Sequence, residues 1–370
     1  MVEYAHPSIL PHDGRFGSGP TKIRSEQLST LAAAPLGTSH RAQPVRSLVG
    51  SVREGLAELF ALPDGYEIAL GNGGASLVWE ALTFSLVQKR AAHAVCGEFS
   101  AKFADLTDGA PHLDPSVIAR AEVGTFQPLP EAPDADTLAF AHNETSTGVL
   151  SPLHHAEAAP GQLVVVDATS VAGALDVHLA GIDVYYFSPQ KALGADGGLW
   201  FAILSPAAIE RIEAVCASRW VPPMLDLARA LAASRKNQTY NTPSIVNLAL
   251  LDSQVRWLRE RGGLAWAEER CRNLSGALYT FAESHPLVRP FVTEPAYRSP
   301  VVATLDIDES INADDVRARL TELAGIVDIA PYRKLGRNQI RVGCFPAVER
   351  HDLDALIAWL EWALEDAADA

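Results

Sequence analysis

Two residues pose the first chemical question. Asp167 closes the apolar run LVVV, and Lys191 follows the next such run, VYYF (184–187), through the turn SPQ. A short apolar run bounded by turn residues reads as a buried strand, and a residue at its end points over the carboxyl edge of the sheet. Two strand ends would then present a carboxylate and an amine to one crevice. An amine nucleophile must shed its proton, which desolvation and nearby positive charge promote. A carboxylate beside it can keep a heteroaromatic nitrogen protonated. Those are the two demands of pyridoxal phosphate: a lysine to bond its carbonyl carbon and an acid to maintain the electron sink. An Asp–Lys ion pair, or an aspartate capping a turn, would use the same two residues for structure alone.

GNGGAS (71–76) lies between the run YEIAL and the helical pattern SLVWEALTFSLV. Glycines let a backbone approach an anion, and a helix N-terminus offers unpaired N–H groups to a phosphate. The run is neither GxGxxG nor the P-loop, which sets dinucleotide and nucleoside triphosphate readings back. A tight strand-to-helix turn would look the same. NETSTG (143–148) and DATSVAG (167–173) also follow strands and place hydroxyls where a ring or phosphate needs donors, although turn and N-cap chemistry is their commoner use.

The elements that must position these residues alternate. YEIAL (66–70), HAVC (93–96), LAFAH (138–142), LVVVD (163–167), VYYFS (184–188) and LWFAIL (199–204) read as strands; residues 76–90 and 206–216 have helical spacing. Strands apolar on both faces and separated by helices predict an α/β fold with a mostly parallel, doubly wound sheet, whose ligands bind at the carboxyl ends of the strands. A long helix is expected from about residue 245. Beyond it, strands at 301–307 and 339–343 and helices at 313–325 and 352–367 predict a smaller C-terminal α/β domain. The division expected is 14–250 for the large domain and 251–370 for the small one, with residues 1–13 packing on the latter.

Composition narrows the partners. The chain has 370 residues and a formal net charge of -15, so nucleic acid and anionic membrane surfaces repel it. Four scattered cysteines show no CxxC or Cys/His pair at ligand spacing, which argues against a metal site and a disulfide framework and fits a reducing compartment. The most apolar stretch, 163–187, is interrupted by Asp167, Asp176 and Asp183, and the first residues lack the pattern of a signal peptide. A cytoplasmic location is the expectation. The pair His154–His155 reads as a helix start, and Trp359 and Trp362 as packing in the terminal helix.

The run SPQKALGADGGLWFAIL (188–204) resembles the lysine segment of phosphoserine aminotransferases, in the class-V pyridoxal-phosphate-dependent aminotransferase family. The resemblance recurs in order through GSGPT (17–21), HRA (40–42), GNGGAS, GEFS (97–100), NETSTG, VVVDATS (164–170), NTPS (241–244) and IRVGCF (340–345), covering roughly residues 14 to 346. It implies the aspartate-aminotransferase-like fold (fold type I for this cofactor). It further implies amino transfer from L-glutamate to 3-phosphohydroxypyruvate, with pyridoxal 5'-phosphate as cofactor and a homodimer that shares its active sites. In pyridoxine synthesis a related phosphorylated keto acid is a second substrate of the family.

Residue by residue, the resemblance implies that Lys191 forms the Schiff base and moves the Cα proton, Asp167 pairs with the pyridine nitrogen, and Thr145 bonds the ring hydroxyl side. Phe99 takes the stacking position, where many relatives have Trp. The backbone amides of Ala75 and Ser76, with Gln190, would hold the cofactor phosphate, joined by Asn241 and Thr242 from the other subunit. Arg341 would clamp the substrate α-carboxylate, and His40 and Arg41 would reach from the partner to the distal anion. One departure is Ser76, where some members carry an arginine that grips the substrate phosphate; Lys102, Arg333, Lys334 and Arg337 are candidates to replace it. Serine or alanine–glyoxylate aminotransferase, and a binding protein without turnover on the same fold, are the rival readings. Cys344 would suggest a cysteine desulfurase only as an exposed thiol of low pKa; at the end of a strand it reads as packed.

Overall fold

The computed structural model describes residues 6–153 and 158–368, so His154 and His155 lie outside the described residues. Twelve strands occur among these: β1 Glu67–Asn72, β2 Ala91–Val95, β3 Val117–Arg120, β4 Thr137–Ala141, β5 Asn143–Glu144, β6 Val149–Leu150, β7 Leu163–Asp167, β8 Val184–Phe187, β9 Leu199–Leu204, β10 Val288–Pro290, β11 Val302–Ile307 and β12 Gln339–Gly343. The α-helices are α1 Ser25–Thr30, α2 Gln43–Leu59, α3 Gly74–Ser85, α4 Glu98–Asp108, α5 Pro206–Ser218, α6 Leu227–Ser234, α7 Ile245–Arg261, α8 Gly263–Ser284, α9 Ala313–Ala324 and α10 Arg350–Ala368.

Seven strands form the main sheet in the order β1-β9-β8-β7-β4-β2-β3. From β8 to β3 all neighbours are parallel, and β9 runs antiparallel to both β1 and β8. The exception has a simple cause. Residues 188–198, between β8 and β9, contain no helix, and a parallel return needs a crossover of a dozen residues or more. Strands β4, β8 and β9 are buried along their whole length, as a sheet covered on both faces requires.

Helix α3 stops at Ser85, five residues before the helical pattern in the sequence ends. The carboxylate of Asp136 accepts from the amides of Gln88 (3.0 Å), Lys89 (2.6 Å) and Arg90 (3.0 Å), which draws the chain out of the helix. Helix α7 starts where Ser244 accepts from the Asn247 amide and stops at Gly262 in the left-handed conformation.

The main sheet has apolar cores on its two faces. A separate core joins the antiparallel sheet β10-β11-β12 to α9 and α10 and includes Trp359, Trp362 and the buried Cys344. Helix α8 serves both: Leu264, Ala267 and Cys271 belong to a core of the main sheet, Leu274, Leu278 and Phe281 to that of the small one. The N-terminal segment runs against α10, where Trp359 Nε1 donates to the Ile9 carbonyl (2.8 Å) and the His12 amide donates to Asp352 (2.8 Å). Among the described residues no helix is long and apolar enough to cross a membrane.

Candidate active site

The carboxyl ends of β4, β7 and β8 open into a cavity of about 430 Å³, the location that a doubly wound sheet favours for ligands. Lys191 enters it from the turn after β8. Its Nζ donates to Thr145 Oγ1 at 2.6 Å and lies 5.3 Å from the centre of the Phe99 ring. The backbone of Gly19 (φ +133°) covers the lysine; a Cβ there would stand 2.8 Å from Lys191 Cε. Desolvation pulls the Lys191 pKa down to about 8, and the nearby Arg341 acts in the same direction, while Asp167 and Glu144 oppose it. An amine poised there is available both as nucleophile and as proton carrier near neutral pH.

Asp167 lines the same cavity from the end of β7. Its Oδ1 accepts from the Thr169 amide (2.9 Å) and its Oδ2 from the Trp79 indole N–H (3.3 Å). The strand-to-helix turn 71–76 supplies the next wall. Gly73 (φ +115°) and Gly74 (φ +72°) are left-handed, and no side chain caps α3. The first-turn amides of this helix, Ala75 and Ser76 among them, have no intrahelical acceptor, and both residues line the cavity. Gln190 closes that side, held by its carbonyl, which accepts from the Thr21 amide at 2.9 Å.

On the opposite side, Arg341 projects from β12 and donates through Nη1 to the Thr145 carbonyl at 3.0 Å. Burial lowers its pKa, with Tyr332 and Glu144 opposing; a guanidinium keeps its charge regardless. Tyr332 stands between Arg341 and Phe99, 5.6 Å and 5.7 Å away respectively.

Four buried polar atoms of residues lining the cavity lack a partner: Asn143 Oδ1, Thr169 Oγ1, Gln190 Oε1 and Arg341 Nε. Buried polar groups are nearly always hydrogen-bonded, so their clustering marks the place of a polar ligand. A helix N-terminus for a phosphate, a carboxylate held by two donors for a ring nitrogen, an aromatic face and a poised amine together fit pyridoxal phosphate. Among the described residues no cluster could hold a metal ion.

Eight of the sequence-derived residues thus share one cavity: Ala75, Ser76, Phe99, Thr145, Asp167, Gln190, Lys191 and Arg341. Four do not line it within a single chain. His40 Nδ1 lies 3.0 Å from Thr242 Oγ1, Asn241 Nδ2 lies 2.9 Å from Met224 Sδ, and Arg41 is exposed. The Thr242 carbonyl nevertheless accepts from Asn72 Nδ2 at 2.9 Å, within the strand-to-helix turn 71–76. Of the basic candidates, Arg337 is engaged bidentately by Asp306, and Lys102 and Lys334 both pair with Glu98. Arg333 is exposed and forms no ion pair among the described residues. Cys344 is fully buried and its thiol is pushed up to about 12 by desolvation, the reverse of a reactive cysteine.

Sequence reasoning missed Trp79, Tyr332, Asn143 and Glu144. Trp79 was open to discovery, because it lies three positions after Ser76 on the same helix and hence on the same face. Tyr332 comes from an irregular segment with no such signal.

The Aminotransferase class-V family model matches residues 23–327. A protein of Mycolicibacterium vanbaalenii, provisionally named phosphoserine aminotransferase, is 52% identical over 360 residues, which cover 96% of this chain and 97% of the relative. The phosphoserine aminotransferase of Rhodococcus opacus is 47% identical over 360 residues, covering 96% of each. Among solved structures, the phosphoserine aminotransferase of Cytophaga hutchinsonii superposes with a TM-score of 0.85 at 24% identity, over 95% of this chain and 99% of that one; at that identity the likeness bears on the fold alone.

Proposed function

The chain belongs to the class-V aminotransferases, and on that footing we propose that it is a phosphoserine aminotransferase, moving an amino group reversibly from L-glutamate to 3-phosphohydroxypyruvate to give 2-oxoglutarate and O-phospho-L-serine. Relatives of that name match it at about half identity over nearly its full length. The observation that carries the chemistry is the convergence of Lys191, Asp167 and the α3 N-terminus on one cavity.

Pyridoxal phosphate, when bound, supplies an aldehyde that amines can join and a ring that draws electrons from the substrate Cα. The rest falls to this chain's own residues. The amides of Ala75 and Ser76, with Gln190, hold the phosphate. Asp167 would pair with the ring nitrogen, and the Thr169 amide and Trp79 indole orient it for that task. Phe99 covers one ring face. Thr145, whose hydroxyl accepts from Lys191 Nζ at 2.6 Å, would bond the ring hydroxyl side, and Lys191, once the substrate amine has displaced it from the cofactor, would take the proton from Cα and return it to the cofactor side. Arg341 binds the substrate α-carboxylate, because a guanidinium grips two oxygens at once.

The distal anion is left to basic groups outside the single-chain cavity. In this reading a homodimer completes each site with Asn241, Thr242, His40 and Arg41 of the partner subunit. Met224 and Tyr240, beside Asn241, are exposed, and neighbouring exposed apolar residues suit a covered face. The chain divides into a large domain through about residue 250 and a small one beyond it, with α8 shared between their cores. All four cysteines are free, in keeping with a reducing, cytoplasmic setting.

Half-reactions with O-phosphoserine, serine and alanine, followed by 2-oxoglutarate-dependent return of the cofactor spectrum, test the substrate. The phosphorylated donor should react fastest by a wide margin; equal or faster reaction with alanine overturns the assignment. Borohydride reduction followed by peptide mass analysis should place the cofactor on Lys191, and Lys191→Ala should carry none; a reduced adduct elsewhere refutes that role.

A further inference from the structure

Glu144 has no exposed surface and plays no part in the reading above. It ends β5, one residue before Thr145. Its carboxylate accepts from the backbone amides of Phe99 (3.3 Å), Ser100 (2.9 Å) and Ser146 (3.2 Å), and from the hydroxyls of Ser100 (2.8 Å) and Ser146 (2.6 Å). Five donors from two separate segments surround one acid, and the first turn of the eleven-residue helix α4 adds its positive end. Gly97 leaves room for this arrangement: a Cβ there would sit 2.4 Å from Glu144 Cγ and 2.6 Å from Ser146 Oγ. All five contacts are donors, the set that a carboxylate, as an acceptor, can satisfy.

The two segments it joins are the two that face the lysine. One carries Phe99, whose ring lies beside Lys191 Nζ; the other carries Thr145, whose hydroxyl accepts from that Nζ and whose carbonyl accepts from Arg341. The site buries two cations, Lys191 and Arg341, and Asp167 alone does not balance them. Glu144 exerts an attraction that favours the charged form of both.

We propose that Glu144 is a positioning residue for the reaction: it fixes Phe99 and Thr145 against Lys191 and supplies the second negative charge of the site. The inference rests on Lys191 being the cofactor lysine. In Glu144→Gln the pH at which the lysine-linked absorbance band changes should fall by on the order of one pH unit, because removing an anion favours the neutral nitrogen. Ser146→Ala, which keeps the charge and removes one donor, should titrate like the wild type. Glu144→Asp keeps the charge but shortens the reach; its band should titrate normally while the visible circular dichroism of the bound cofactor weakens. Should Glu144→Gln lose only thermal stability and titrate in its usual place, or Glu144→Asp keep the full dichroic signal, the assignment is overturned. Where Glu144→Gln fails to fold, the dichroism of Glu144→Asp decides. A wild-type protein with no lysine-linked band would instead refute the role of Lys191, which separates the two failures.

Discussion

Lys191 works at a compromise between two environments. Burial alone would push the ammonium far down, and Asp167 and Glu144 hold it near 8. The neutral amine is the form that attacks a carbonyl, so the rate at which cofactor-free protein captures pyridoxal phosphate should rise with pH and level off above about 8. Stopped-flow absorbance across pH 6 to 10 reads this directly, and a flat profile contradicts a poised amine. Trp79 makes a second residue-scale case. Trp79→Phe keeps the ring and removes the N–H that reaches Asp167, so cofactor affinity should fall about fivefold, the worth of one hydrogen bond of about 1 kcal/mol. Equilibrium dialysis that finds no change would show that the Thr169 amide suffices. The aspartate and the lysine were legible beforehand because strand ends expose their last residues to a crevice. Trp79 was within reach through its spacing from Ser76; Glu144 was not, because an acid within a run of hydroxyls reads as part of a turn.

In the proposed site helix α3 would serve two ends of one ligand, its first-turn amides the phosphate and Trp79, through Asp167, the ring nitrogen. Its start depends on Gly73 and Gly74, both left-handed. A Cβ on Gly74 would meet only Ser188 Oγ at 3.7 Å, so Gly74→Ala tests conformation and not crowding. A non-glycine residue in that region costs about 1–2 kcal/mol, and relief of the strain would turn the amides away. Pyridoxal phosphate affinity should fall about tenfold or more, given ~1.4 kcal/mol per decade, while binding of pyridoxal without its phosphate stays near the wild-type level. Equal losses for both would place the phosphate elsewhere. The elements themselves were legible where apolar runs are long and bounded by turn residues, as in β7, β8 and β9. Less legible were α2 and α4, whose mixed patterns carry few unbroken apolar positions, and the end of α3, which is set by Asp136 from a loop about fifty residues on. Local pattern cannot foresee a carboxylate that arrives from elsewhere in the fold.

At the scale of the whole molecule the single-chain cavity is rich in groups for the cofactor and poor in groups for a distal phosphate. Of the cations lining it, Lys191 and Arg341 are both assigned to other tasks. With a net charge of -15 the chain as a whole does not attract a dianion at long range, so on the proposed reading the positive charge is local, and the surface that carries His40, Arg41, Asn241 and Thr242 would supply it from a second copy. No feature of one sequence ranks residues by which subunit's site they serve, which is why the resemblance and not the residue pattern suggested a role for these four. Complementation resolves the matter. Lys191→Ala and Arg41→Ala homodimers should each be nearly inactive with O-phosphoserine. When the two are unfolded together and refolded in equal amounts, half of the dimers are mixed, and each mixed dimer carries one site with both an intact lysine and the arginine of its neighbour. Recovery of roughly a quarter of wild-type activity is expected for a two-fold symmetric pair. If Arg41 served the site of its own chain, every site in the mixture would lack one of the two groups, and refolding together would restore nothing.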